Sequence, residues 1–142
     1  MKVPFFRVEI GQDETNEVLE VLRSGWLTTG PRVADFEKEF SRAVGARYAI
    51  ALNSCTAALH LSLEALGVKP GDGVLMPSVT FAATAEVVRY LGATPILVDC
   101  DRQTLNMDLG DTDRKLRAAE KGELSVTAGQ PINGVGIIPV HV

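Results

Sequence analysis

Short apolar runs of strand type alternate with helical patterns along this chain, and that alternation constrains its fold more than any other feature. Tyr48-Ala49-Ile50-Ala51-Leu52 is an apolar run of the kind found in strands buried on both faces. Val74-Leu75-Met76, Thr94-Pro95-Ile96-Leu97-Val98 and the stretch 135–142 follow it, each separated from the last by a helix-type segment. The alternation predicts an α/β layer fold. At 142 residues the chain is long enough to bury a real core, and 46% hydrophobic against 23% charged residues argues against disorder. Fourteen basic against eighteen acidic residues, with no basic cluster, leave no electrostatic footprint for nucleic acid. No apolar run approaches the roughly 20 residues of a membrane span, and MKVPFFRVEI has no signal-peptide core. Cys55 and Cys100 show no metal-ligand spacing and no secretory context, so both read as reduced thiols of a cytoplasmic protein.

The organisation reads as a single partial domain over 1–142: helices within 12–44, a strand–helix block over 47–101, an irregular excursion at 121–134 and a terminal strand at 135–142. Val18, Leu19, Val21 and Leu22 make Gln12–Arg23 an amphipathic helix, ended by Ser24-Gly25. Pro31 suits the first turn of the next helix, whose Val33, Phe36, Phe40 and Val44 share a face, and Gly45 closes it. Ala57–Leu66 and Thr80–Leu91 read as further helices, and Asp111 as the cap of one running to about Ala119. A terminal strand with no closing helix leaves one layer open, so the chain reads as cut before its fold is complete.

Three segments can carry chemistry. In Asn53-Ser54-Cys55-Thr56-Ala57-Ala58 a strand feeds a helix start, where free N–H groups and hydroxyls could hold a phosphate; ordinary N-capping explains the same residues. It is not a P-loop, because the glycines and lysine of that pattern are missing. Phe81 stands just after a strand, at the start of a helix, where an aromatic can stack on a flat ring or simply enter the core. In Gly25-Trp26-Leu27-Thr28-Thr29-Gly30-Pro31 two glycines bracket the sole Trp and paired threonines, a loop that binds a ligand, anchors a subunit or merely turns the chain.

Together GWLTTGPRVADFEKEF, ALNSCTAALHLSLEALGVKPGDGVLMPSVTFAATAEVVRYLGATPILVDCD and IIPVHV, in this order, resemble the DegT/DnrJ/EryC1/StrS family of pyridoxal-phosphate (PLP)-dependent sugar aminotransferases. The resemblance implies the N-terminal portion of an aspartate-aminotransferase-like (type I PLP enzyme) large domain, incomplete in this chain, with 47–101 its cofactor-phosphate half. It implies that Thr56 and Ala57, with Ser54 close by, hold the PLP phosphate, and that Phe81 covers the pyridine ring. Thr28, Thr29 and Gly30 correspond to a loop where nucleotide-sugar and partner subunit meet. The implied reaction passes an amine from a glutamate-type donor to a keto nucleotide-sugar, in a homodimer or larger oligomer.

That chemistry also needs a Schiff-base lysine and a carboxylate facing the pyridinium nitrogen. In the family both follow the Pro-Val-His stretch, here 139–141, so no catalytic residue is assigned. None of Lys2, Lys38, Lys69, Lys115 and Lys121 is placed in the desolvated setting that depresses a lysine pKa for nucleophilic work, and Asp99 and Asp101 read as strand-end and turn residues. His141 reads as a strand-end histidine held by packing and His60 as structural. The chain alone is therefore expected not to transaminate. The alternatives are a non-catalytic remnant serving dimerisation or anion binding, and an enzyme completed by a second chain.

Overall fold

Gly73–Pro77 (β1) is buried from end to end, and everything around it follows from that. The computed structural model describes residues 3–4, 6–124 and 132–141. They form α1 (Gln12–Ser24), α2 (Pro31–Ala43), α3 (Cys55–Ala65), β1, α4 (Ala82–Tyr90), β2 (Thr94–Val98), α5 (Leu109–Glu120) and β3 (Val135–Ile137). The chain divides into two compact units, Met1–Ala51 and Leu52–Val142.

In the second unit the sheet order is β2-β1-β3, with both pairings parallel. Side chains alternate across a strand, so β1 feeds two cores. Val74 and Met76 pack with Leu63 of α3 and Val87 and Val88 of α4. Leu75 packs on the other face with Ile96, Val98 and Met107, against which Leu116 of α5 lies. Helices thus cover both faces, as an apolar central strand of a parallel sheet requires. Among the described residues no helix is long and apolar enough to cross a membrane.

The first unit is a pair of helices. The Gly11 amide donates to the Glu14 carboxylate at 2.7 Å where α1 begins, and Gly25 ends it at φ 70°, a left-handed conformation that glycine adopts without strain. Pro31 opens α2 as expected. After α2 the amides of Gly45 and Ala46 return to the carbonyls of Arg42 and Ser41, with Gly45 at φ 68°. Arg32 joins the helices through Glu17, at 3.0 Å, and Glu20. Neither helix buries a residue completely, and Phe36 and Phe40 pair at 5.7 Å on an exposed stripe.

The structure corrects several expectations. Tyr48–Leu52 is not a strand: Tyr48 is 73% and Ile50 80% exposed, and the Ala51 amide donates to the Glu37 carboxylate at 2.8 Å. A strand needs a neighbouring backbone, and both edges of β1 are already taken by β2 and β3. Asp108, not Asp111, caps α5, its carboxylate accepting from the Asp111 amide at 2.6 Å. That leaves the Asp111 side chain, 6% exposed, to accept from the Asp99 amide at 2.9 Å and from Lys115 at 2.6 Å, and to pair with Arg114. Lys115 is therefore a half-buried ion-pair partner rather than one more cation on a polar helix. The terminal strand is only three residues long, and His141 is exposed beyond it rather than packed. Of the excursion at 121–134, residues 125–131 lie outside the described residues.

Two outcomes are expected. A Cβ on Gly73 would lie 2.5 Å from Ile96 Cδ1 and 3.0 Å from Ile132 Cγ2, so Gly73→Ala should cost about 1–3 kcal/mol in urea unfolding; an unchanged midpoint would show that the core gives way freely. The hydrogen bond from Lys115, then that from the Asp99 amide, hold the Asp111 carboxyl below its ordinary range. Its stabilisation is complete above the unfolded aspartate range near 3.9 and is lost as pH falls through the depressed folded value. Asp111→Asn should therefore flatten the acid limb of a stability–pH curve, and an unaltered limb would contradict the assignment.

Candidate functional site

The α3 start is built by Ser54. Its backbone is extended at φ −159° and ψ 155°, and its hydroxyl accepts the Ala57 amide at 3.1 Å while its carbonyl accepts the Ala58 amide at 3.1 Å. Among the described residues no protein acceptor faces the amides of Cys55 and Thr56. These two N–H groups, the positive end of the helix and the half-buried Thr56 make an anion-receptive terminus. The amide of Ala57, a residue the family resemblance places at the phosphate, is engaged by the cap. The sequence pattern marks this turn as a helix start but not which N–H the serine occupies.

The second element is the end of β1. α4 covers the face of Val74 and Met76, whereas α5 covers that of Leu75 and Ile96, so the loops after β1 and β2 leave toward opposite faces. In open α/β sheets ligands bind in the crevice that such a divergence opens at the carboxyl ends of the strands. Phe81 is at that end, the N-cap of α4, and is 81% exposed. The ring is not packed into the core formed by the described residues. Thr80 and the buried Thr84 share a 2.8 Å hydroxyl contact that braces the loop beside it.

On the β2 side the Ser78 amide donates to the Val98 carbonyl at 2.9 Å, and Ser78 Oγ lies 3.5 Å from Cys100 Sγ. Asp101 accepts from the amides of Gln103 and Thr104 and from the Thr104 hydroxyl, at 2.8 to 3.0 Å. The backbone bond from Thr104 is the largest cause holding its carboxyl below the ordinary range, so Asp101 is a turn residue as its position suggested. His60 packs edge-on against Tyr90 at 5.7 Å, a structural contact between α3 and α4. Sequence reading missed the Ser78–Cys100 contact, for which 22 residues of separation carried no local signal.

Thr28, Thr29 and Gly30 belong to the first unit, where they line a cavity of about 890 Å³ with Val21, Trp26 and Arg32. The indole Nε1 donates to the Thr29 carbonyl at 3.0 Å, closing the loop on itself, and a side chain at Gly30 would run into the Trp26 ring. This explains the second glycine by contact, since its φ of −162° is open to any residue.

Divergent strand-end loops and an anion-receptive helix start are both features of ligand-binding α/β proteins. The chain belongs to the DegT/DnrJ/EryC1/StrS aminotransferase family, whose profile matches residues 8–142. It is 51% identical over 106 residues to the spore coat polysaccharide biosynthesis protein SpsC of Bacillus subtilis (strain 168), covering 75% of this chain and 27% of SpsC. Its fold is similar to that of the PLP form of the sugar aminotransferase Spr1654 of Streptococcus pneumoniae, with TM-score 0.75 and 39% identity over 80% of this chain and 29% of that one. A Brucella abortus member of the same family gives TM-score 0.76 at 35% identity, covering 88% and 32%. The chain thus spans about a third or less of the length of these relatives and matches part of a PLP aminotransferase fold.

Ser54→Ala should cost about 1 kcal/mol, the ordinary loss for a helix cap, and Ser54→Asp should restore most of it. Thermal melts of both variants check this, and equal losses would show that the hydroxyl does not cap α3.

Proposed function

We propose that this chain supplies the phosphate cradle and ring cover of a PLP-dependent sugar aminotransferase. The place of Phe81, exposed at the carboxyl end of β1 where two loops diverge, carries this reading, because an aromatic there can cover a flat ring. The residues fit the cofactor. The amides of Cys55 and Thr56 and the Thr56 hydroxyl would receive its phosphate, Ser54 would hold the turn in place, and Ala57 would let the anion approach closely. Phe81 would cover one ring face and keep water from it. PLP, when bound, supplies an electron sink that lets an amine pass between carbon skeletons. In the whole protein the donor would be of glutamate type and the acceptor a keto nucleotide-sugar, oriented in part by Thr28, Thr29 and Gly30.

No lysine of this chain is proposed to carry the cofactor. Lys115, for one, is held by Asp111 and by the Leu97 carbonyl at 2.7 Å. The chain by itself would therefore bind PLP weakly and not transaminate, with the active site completed in a homodimer or larger oligomer. The apolar stripes of α1 and α2, exposed at Leu22, Phe36 and Phe40, support self-association.

The test is titration of this chain with PLP, followed by visible circular dichroism, with inorganic phosphate as competitor. A saturable signal displaced by phosphate is expected. Phe81→Ala should weaken it roughly 2- to 12-fold, the equivalent of 0.5–1.5 kcal/mol of ring stacking. Thr56→Val should weaken it as well. Borohydride reduction should give no stoichiometric lysine adduct by intact mass. Equal affinity in the parent and both variants would overturn the site, and one stoichiometric adduct would overturn the assignment of the lysine elsewhere.

A further inference from the structure

β2 is the outer strand on one side of the sheet, and part of its far edge is met by α5 side chains and the Asp108 amide instead of a fourth strand. In a parallel ladder the N–H and C=O of a residue point to the same side, and the side alternates along the strand. The Thr94 amide donates to the Asp72 carbonyl and the Val98 carbonyl accepts from the Ser78 amide, so residues 94, 96 and 98 face β1. Residues 95, 97 and 99 therefore face outward. Position 95 is proline, which has no N–H to offer. The Leu97 carbonyl accepts from Lys115 Nζ at 2.7 Å. The Asp99 amide donates to Asp111 at 2.9 Å, and the Asp99 carbonyl accepts from the Asp108 amide at 2.8 Å. Asp111 and Lys115 are joined at 2.6 Å, one helical turn apart on α5, so the two closures reinforce each other.

We infer that the Asp111–Lys115 pair, with Pro95, is an edge lock that bars a further strand from joining the sheet at β2. An open edge presents unpaired backbone groups that template pairing with another chain, and inward-turned charges and prolines are physical means of blocking it. An incoming strand would have to displace an ammonium from a carbonyl and a buried carboxylate from an amide, leaving two opposite charges to be rehydrated or repacked. The lock also works independently of any ligand at the strand ends.

Hydrogen exchange resolved to single amides tests the carboxylate arm. Asp111→Ala should speed exchange of the Asp99 amide at least tenfold while Ile96 and Val98, which face β1, keep their protection; unchanged exchange at Asp99 would overturn the lock. Sedimentation velocity tests the ammonium arm in Lys115→Met, which retains most of the apolar stem. This variant should self-associate at least tenfold more tightly than the parent, and adding Leu97→Pro, which removes the outward N–H, should reverse the gain. Association equal to the parent's, or a gain that Leu97→Pro leaves intact, would overturn the proposal even if Asp111→Ala proves too unstable to read.

Discussion

Burial of β1 on both faces and both edges is the constraint on which the second unit depends. A buried five-residue strand needs partners for its backbone polar groups, and β2 pairs along its whole length while β3 pairs with Gly73 to Leu75. Its alternating side chains then require two separate apolar covers. α3 and α4 supply one and α5 the other, and the divergence of the loops after β1 and β2 is a direct consequence. The exposed position of Phe81 arises from that divergence. The aromatic is where it is because the chain must leave β1 toward one face while its neighbour leaves toward the other.

The polar features follow the same logic at smaller scale. Ser54 accepts a first-turn amide of α3 and leaves those of Cys55 and Thr56 without a protein acceptor among the described residues, so a capping role does not occupy the whole turn. Asp108 caps α5 and thereby releases Asp111 to reach back to the end of β2, where its charge is balanced by Lys115 and Arg114. A buried carboxylate is tolerable there because each oxygen meets a cation and one also meets an amide. In the first unit, Arg32 performs a comparable joining role between α1 and α2, but at the surface, where solvent weakens it.

Much of the fold was legible in local pattern. The helix periodicity at 12–23 and 33–44, the glycine and proline punctuation at positions 25, 31 and 45, and the apolar runs at 74–76 and 94–98 all depend on neighbours within a few residues. The candidate site was legible for the same reason: a strand followed by capping residues, and an aromatic following another strand, are contiguous signals, and three blocks in family order made them specific. The misreadings are equally instructive. Tyr48–Leu52 has the composition of a strand but no backbone beside it among the described residues, since strand formation is a property of a pair. Asp111 and Asp108 are both good caps, three residues apart, and which one serves depends on the distant Asp99 amide.

What this sequence determined by itself is the five helices, the strands at 74–76 and 94–98 and their order, and the residue types at the α3 start, the Phe81 position and the Trp26 loop, because each rests on short-range sterics and hydrogen bonding. Tertiary structure alone decided which strands pair, that Ser78 meets Cys100, and that Asp111 and Lys115 reach the backbone at the end of β2. Those contacts join residues 12 to 22 positions apart through packing, and no local pattern encodes the geometry that brings such groups within hydrogen-bonding distance.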